Sequence, residues 1–390
     1  MLWRGKLPHT DEPVEVEAYD GRITAIRRLG QDDKTAALPW ISSGWIDVQV
    51  NGFGGYDLNG TVTSPSDIEG VTRALHRRGV AAYLPTVITG SYDRMRQAFS
   101  GLSRYVQSGE FGSASIAGIH MEGPYLSGED GSRGAHPRAY IRNPEWDEFQ
   151  RLQDAAGGLI RMVTLAPERE GSVPFIEKLV KAGVVVAIGH TMATGEQIDR
   201  AVQAGATVST HLGNGSQPVL PRHPNYIWHQ LADDRLWATF IPDGHHLAPP
   251  VLKAMLRAKR DKSLLVSDAV MFGGMAPGRY SSLIGGEVEL TADGRLHTVE
   301  NPAILAGSAS SLDVGIANAI RYTDMTLAEA VSAVTIRPAV VLAMPQLGGL
   351  AIGNPANLTL FDCNADGSGM FVRETVVAGE TVYGPIYGPI

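Results

Sequence analysis

Apolar residues along the chain fall into two kinds of run. One kind is short and nearly continuous: WIDVQVN (45–51), AAYLPTV (81–87), IAGIHME (116–122), IRMVTLA (160–166), VVVAIGH (184–190), ATVSTH (206–211), WATFIP (237–242) and LLVSD (264–268). A strand with one wet face alternates apolar and polar residues, whereas a strand covered on both faces does not. These eight runs therefore predict strands of a buried parallel sheet. The other kind is longer and amphipathic, at 65–78, 171–182, 195–204 and 248–259. Apolar positions three and four apart put one greasy stripe on a helix. Such strands and helices alternate from 45 to 268. The reading is an α/β chain whose centre is a (β/α)8, TIM-like barrel. A doubly wound open sheet is the rival, and the strand count favours closure.

The two ends follow another rule. VEVEAYDGRITAIRRLG (14–30) holds two alternating runs around Asp20-Gly21, a hairpin signature. Short strands and turns return at 347–382. The termini are expected to meet as one small β-sandwich domain, 1–44 with 346–390, with a catalytic barrel of 45–345 inserted between them. The connections 123–143, 212–236 and 270–311 are longer than a scaffold needs. Long loops after barrel strands are where active sites are built. The closing repeat YGPIYGPI (383–390) reads as a tail without fold content.

Composition narrows the function. The chain has 390 residues and a net charge of −8, the wrong sign for a nucleic-acid partner. No apolar run reaches the roughly 18–20 residues of a membrane span. The opening MLWRGKLPHT lacks the apolar stretch of a secretory signal, so the expected location is the cytoplasm. Cys363 is the one cysteine, which excludes an intrachain disulfide and a cysteine-rich zinc site. Any metal centre must therefore be built from imidazole and carboxylate.

Four polar residues stand where such a centre would form. Glu122, His190, His211 and Asp268 close the third, fifth, sixth and eighth apolar runs. In a parallel barrel those ends share one face. Taken singly, each has a plain structural reading: a hydrogen-bonded core histidine, a salt bridge, a helix cap. Four together at strand ends are harder to explain that way. A buried carboxylate needs a partner or a metal. One Glu and two His form a three-ligand set for a catalytic divalent ion. Asp268 is then free to act as general base. His120 shares the face of Glu122 by strand alternation and is expected to support the site from the layer below.

The chain also resembles a known family. GWIDVQVNGFGG (44–55), HMEGPYLS (120–127), RGAH (133–136), TLAPE (164–168), GHT (189–191), THLGN (210–214), DGHH (243–246), SDA (267–269) and LAGS (305–308) follow the order of the N-acetylglucosamine-6-phosphate deacetylases. These are a branch of the amidohydrolase superfamily. The resemblance implies a barrel with a small β domain from both termini, and hydrolysis of the N-acetyl amide of an amino sugar 6-phosphate. It implies metal ligands Glu122, His190 and His211, and Asp268 as acid and base. It gives His136 the polarising of the amide carbonyl. Asn214, Gly215 and His246 would contact the sugar phosphate, while Ala135, Leu305, Ala306 and Gly307 line the substrate site. Arg222 matches a phosphate-binding arginine that often reaches a neighbouring subunit, which implies a homodimer.

Many amidohydrolases carry His-x-His on the first strand, where this chain reads Asp47-Val48-Gln49-Val50-Asn51. Amides are poor ligands for zinc-like ions. One divalent metal is therefore expected, with a second binding weakly at most. Zinc is the expected ion; iron, manganese and cobalt also suit the donor set. Departures from the family gather in the substrate loop. Its usual tyrosine is Gly213, its alanine–methionine pair is Gly215-Ser216, and its Arg-Glu-Pro-Gly is Arg222-His223-Pro224-Asn225. Three readings follow: the sugar-phosphate deacetylase, an amidohydrolase of another N-acyl or cyclic amide, and a non-catalytic sugar-phosphate-binding protein. Retention of Asp268 beside all three ligands argues against the last.

Overall fold

The computed structural model describes residues 1–60, 63–282 and 286–385, so 386–390 of the closing repeat lie outside the described residues. Eight parallel strands form the central sheet: Trp45–Val50, Val80–Ile88, Ile119–Glu122, Ile160–Leu165, Val185–Ile188, Val208–Ser209, Trp237–Phe240 and Ser263–Leu265. Each pairs with its neighbour in sequence. Val50 bridges Ala269 in parallel, and Asn51 N donates to Ala269 O at 2.8 Å, which brings the last strand's exit back to the first. Asp47 adds a stitch lower down: its carboxylate accepts from Ser267 N at 3.3 Å and from Gln49 N at 3.3 Å. Burial pushes the Asp47 carboxyl up to about 7.

Both faces of the strands are covered, as the unbroken apolar runs require. Ile46, Val48, Leu84, Met162, Val208, Ile241 and Val266 fill one cluster. A larger cluster joins the opposite face to the helices. Helix Pro65–His76 starts on a capping box between Ser64 and Asp67, with Pro65 in the first turn. Helix Gly195–Gln203 starts on a similar box between Thr194 and Gln197. Leu75, Ile198 and Ala201 are buried on the inner faces of these helices.

The termini form one seven-stranded mixed sheet. Its order is Glu380–Tyr383, Met370–Val377, Leu358–Cys363, Trp40–Ser43, Leu2–Lys6, Pro13–Tyr19 and Arg22–Arg28. The expected sandwich is thus a single sheet that curls over itself. Trp3 Nε1 donates to Glu374 Oε1 at 3.0 Å although two strands separate theirs in the ladder. Val14, Val16, Ile23, Ile41, Leu358, Leu360 and Val376 fill the fold of the curl. Trp45 meets Phe361 edge to face at 5.3 Å between ring centroids, which joins barrel to sheet.

The long connection at 270–311 is more ordered than a loop. It holds an antiparallel sheet of Gly278–Ser282, Gly286–Leu290 and Leu296–Thr298. A small core of Phe272, Val288, Leu290 and Leu296 supports it. Among the described residues no helix is long and apolar enough to cross a membrane.

Candidate active site

Glu122 is the last residue of the third barrel strand. His190, His211 and Asp268 were expected to close their strands, but the ladders stop earlier, at Ile188, Ser209 and Leu265. All three residues sit in left-handed backbone, at φ of 50°, 30° and 46°. That region is uncommon for residues other than glycine. The turn ends the strand and swings each side chain over the barrel mouth. Backbone contacts hold the turns: Ser127 N donates to His190 O at 2.9 Å, and His211 N donates to Thr239 Oγ1 at 2.6 Å.

The side chains converge. Glu122 Oε1 lies 3.2 Å from His190 Nε2 and 3.1 Å from His211 Nε2, and those two nitrogens are 3.1 Å apart. His136 Nε2 joins them, 3.2 Å from His190 Nε2 and 3.9 Å from Glu122 Oε2. Glu122, His136 and His190 offer ligand atoms that all lie within 4.8 Å of one another, so a three-ligand site able to hold a divalent ion is present. His211 extends that trio. All four are buried.

The donor set fits a cation. His190 Nδ1 faces the carbonyl oxygen of Ser132 at 2.9 Å. A carbonyl only accepts, so Nδ1 carries the proton and Nε2 of the neutral ring is a bare lone pair. That lone pair points at a carboxylate oxygen and at a second imidazole nitrogen. Lone pairs so close repel unless a proton or a cation lies among them. Burial pushes the Glu122 carboxyl up; a proton on the facing His190 and His211 nitrogens, or a cation in its place, outweighs that and holds the carboxyl well below the usual carboxylate range. Burial and the neighbouring imidazole of His190 push His136 down to about 3. A neutral imidazole is the form that ligates a metal or donates a neutral hydrogen bond.

Asp268 stands across the mouth. Burial first, and then the Glu122 carboxylate, raise it to about 8. A cation beside Glu122 removes that repulsion and favours the ionised form a base needs. Asn51 Nδ2 donates to Asp268 Oδ1 at 2.8 Å, and Gln49 Nε2 donates to Glu122 Oε1 at 3.0 Å. The two amides that stand in place of His-x-His thus hold the two carboxylates. Their spacing of two, with Gln49 on the first strand and Asn51 just past its end, was the sequence signal for this role. His120 lies below, bonded to Val48 O at 3.1 Å and to Thr164 Oγ1 at 2.7 Å.

A cavity of about 370 Å³ opens over these groups. It brings together Glu122, His136, His190, His211 and Asp268 with Ala135, Asn214, Gly215, His246, Leu305, Ala306 and Gly307. Asn214 Nδ2 is buried without a partner among the described residues, which leaves a donor for a ligand. His246 Nδ1 is 2.7 Å from Asp243 Oδ2. Arg222 is the exception. It is exposed on the 212–225 loop and does not line the cavity of its own chain. The reading from sequence also missed Asp57, Asn59 and Ile88 on the wall. They sit on the excursion after the first strand and at the exit of the second, where no spacing of chemistry-bearing residues marked them. It missed Thr89 as well, whose Oγ1 lies 2.9 Å from His136 Nδ1.

Comparison with known proteins agrees with this geometry. Residues 41–382 match the amidohydrolase family. The chain is 31% identical over 367 residues to an N-acetylgalactosamine-6-phosphate deacetylase of Escherichia coli O157:H7, covering 94% of each chain. It is 32% identical to the N-acetylglucosamine-6-phosphate deacetylase of Bos taurus, over 92% of this chain and 87% of the relative. Among solved structures, the N-acetyl-D-glucosamine-6-phosphate deacetylase of Mycobacterium smegmatis superposes with a TM-score of 0.86 at 30% identity, over 98% of this chain and all of that one. A mutant of that enzyme, solved with N-acetyl-D-glucosamine-6-phosphate, gives a TM-score of 0.83 over 95% of this chain and 94% of that one. With a family match across barrel and terminal sheet, and with a histidine–carboxylate cluster at the barrel mouth, the chain belongs to the amidohydrolase family.

Proposed function

We propose that the chain hydrolyses the N-acetyl amide of N-acetylglucosamine-6-phosphate, giving glucosamine-6-phosphate and acetate. The observation that carries this is the convergence of Glu122, His190 and His211 opposite Asp268 in one cavity. Those three are the metal ligands in this reading, and His136, farther from Glu122 at 3.9 Å, faces the substrate. A divalent cation, with zinc first among the candidates, would be held by these three side chains and would supply Lewis acidity, lowering the pKa of water from 15.7 towards about 7.

The chain's own residues carry the rest. Asp268, with Oδ1 held by Asn51, takes the proton of the attacking water on Oδ2 and returns it to the leaving amine. This role asks for the tautomer of His136 with its proton on Nε2, Thr89 Oγ1 then donating to Nδ1 at 2.9 Å, so that Nε2 aims at the amide oxygen as charge grows there. Asn214 and the Gly215 backbone hold the sugar. His246 meets the phosphate from within the cavity, and Arg222 reaches it from a second copy in a homodimer. Exposure of Arg222 outside its own cavity supports that assignment.

The test is acetate release by metal-loaded protein from N-acetylglucosamine-6-phosphate, its galacto epimer and the unphosphorylated sugar. Release from the gluco phosphate, and not from the neutral sugar, is expected. A second reading, hydrolysis of another N-acyl amide, draws on one feature: no lysine or arginine among the described residues lines the cavity. Turnover of such an amide with neither phosphate cleaved would replace the first reading.

A further inference from the structure

Glu168 closes the stretch TLAPE (164–168) just past the fourth strand, and the roles assigned so far do not use it. Its carboxylate bonds to the turn that follows His190. Met192 N donates to Oε1 at 2.7 Å, and Thr191 Oγ1 donates to Oε2 at 2.5 Å. Thr191 Oγ1 in turn accepts from Ala193 N at 2.9 Å. One carboxylate therefore fixes both residues after a histidine whose own backbone is left-handed.

The other restraints on His190 lie elsewhere. Its carbonyl is held by Ser127 N and its Nδ1 by Ser132 O. Its ring is walled by glycine backbone: a Cβ on Gly215 would stand 2.6 Å from Nδ1, and one on Gly134 would stand 3.1 Å from Cε1. Those walls bound the ring on the side of Nδ1 and Cε1 and do not hold the backbone turn that carries it. Among the described residues, Glu168 alone ties Thr191 and Met192, on the downstream side of the turn, to another element by hydrogen bonds. Loss of that restraint lets a left-handed histidine relax toward ordinary backbone, which carries Nε2 away from Glu122 and His211.

We propose that Glu168 is a positioning residue that sets metal affinity by clamping the Thr191–Met192 turn behind His190. This rests on His190 being a ligand. Cobalt(II) serves as the probe, followed by its visible absorption during competition with a chelator. E168A is expected to bind cobalt about 10–100-fold more weakly, the usual loss when a residue supporting a ligand is removed. E168Q is expected to keep the wild-type affinity and spectrum. Its amide oxygen still accepts from Met192 N, and its NH₂ donates to the Thr191 hydroxyl, which can rotate to accept. T191V removes one of the two contacts and is expected to show an intermediate loss. It carries the test if E168A fails to fold.

Wild-type affinity in E168A or, should that variant misfold, in T191V would overturn the clamp. So would an equal loss in E168Q and E168A. A wild-type chain that takes up no cobalt is a different outcome: it would overturn the metal reading itself.

Discussion

Left-handed backbone occurs at residues other than glycine in both the terminal sheet and the barrel mouth, for different reasons. In the sheet, Asp20 and Ala378 both have φ of 48°. Each is followed by a glycine and forms a two-residue turn, between Tyr19 and Arg22 in one hairpin and between Val377 and Glu380 in the other. Hairpin twist asks for positive φ at such positions, so local geometry accounts for them. At the mouth, His190, His211 and Asp268 are followed by Thr191, Leu212 and Ala269, and no hairpin explains them. Contacts distant in sequence hold them, including those from Ser127, Thr239 and Asn51. The sheet's unusual residues serve its fold. The mouth's unusual residues serve a cluster of charge and imidazole that the fold does not need.

The contrast can be tested hardest at Asp268. Asp268→Asn keeps the volume and removes the proposed base. Its kcat for amide hydrolysis should fall by about 10³-fold or more. Metal content and thermal midpoint should stay near wild type, since the asparagine Oδ1 can still accept from Asn51 Nδ2. Acetate release, metal analysis and a melting curve measure the three quantities. Full activity in the variant would break the assignment.

Next in size are the two histidines to which the proposed function gives different roles. His211 is a ligand in that proposal, so His211→Ala should weaken metal binding by more than the roughly 10–100-fold typical of losing a residue that only supports one. His136→Ala should keep the metal and lose kcat by about 10²–10³-fold, the usual scale for removing one oxyanion donor. Metal titration beside steady-state kinetics distinguishes them. If His136→Ala loses the metal instead, the binding trio is Glu122, His136 and His190, and His211 is the group that faces substrate.

How legible each region was in the sequence follows the same division. Hydrophobic continuity marked all eight barrel strands, because burial on both faces leaves a signature that any sequence shows. Asp20-Gly21 marked its hairpin for the same kind of local reason. The curl of the terminal sheet was not visible, since alternation tells which face is buried and not what covers it. At the mouth, residue type and position were enough to single out Glu122, His190, His211 and Asp268. The exact ends of their strands were not readable, because the left-handed turns depend on partners such as Thr239 and Ser127. Gln49 and Asn51 looked like lost ligands, whereas the fold uses them as donors to the two carboxylates. Arg222 was singled out by its offset from His211; it lies outside its own cavity, and one chain's sequence does not say which copy's cavity it serves.

A smaller effect, in the sheet, tests the other half of the contrast. Leu358 is fully buried in the curl. Leu358→Ala should cost about 2–4 kcal/mol by denaturant unfolding, from lost burial and the cavity left behind. The kcat and KM of the folded fraction should not change, because the sheet supports the barrel through contacts such as Trp45–Phe361 and adds no group to the cavity. A changed KM would mean that the two regions are coupled.

The smallest effect lies within the barrel wall, at Asp47, where the exit of the last strand meets the first. Its folded carboxyl is raised to about 7 by burial, against about 3.9 for an exposed aspartate. Between those values the unfolded chain binds fewer protons than the folded one. Stability from this group is therefore present below about pH 4, falls as pH rises through the window, and is level above about 7. Asp47→Asn cannot ionise and escapes that loss, though its single oxygen must replace a carboxylate that accepts from both Ser267 N and Gln49 N. The net gain at pH 8 should be about 1–2 kcal/mol, less than the roughly 4 kcal/mol that three pKa units alone represent. At pH 4 the gain should vanish or reverse. Urea unfolding of both proteins at the two pH values measures it. Parallel pH curves would mean that Asp47 reaches water or a cation at that junction. The barrel would then close on an ionised carboxylate, the same kind of buried charge that otherwise sets the mouth apart.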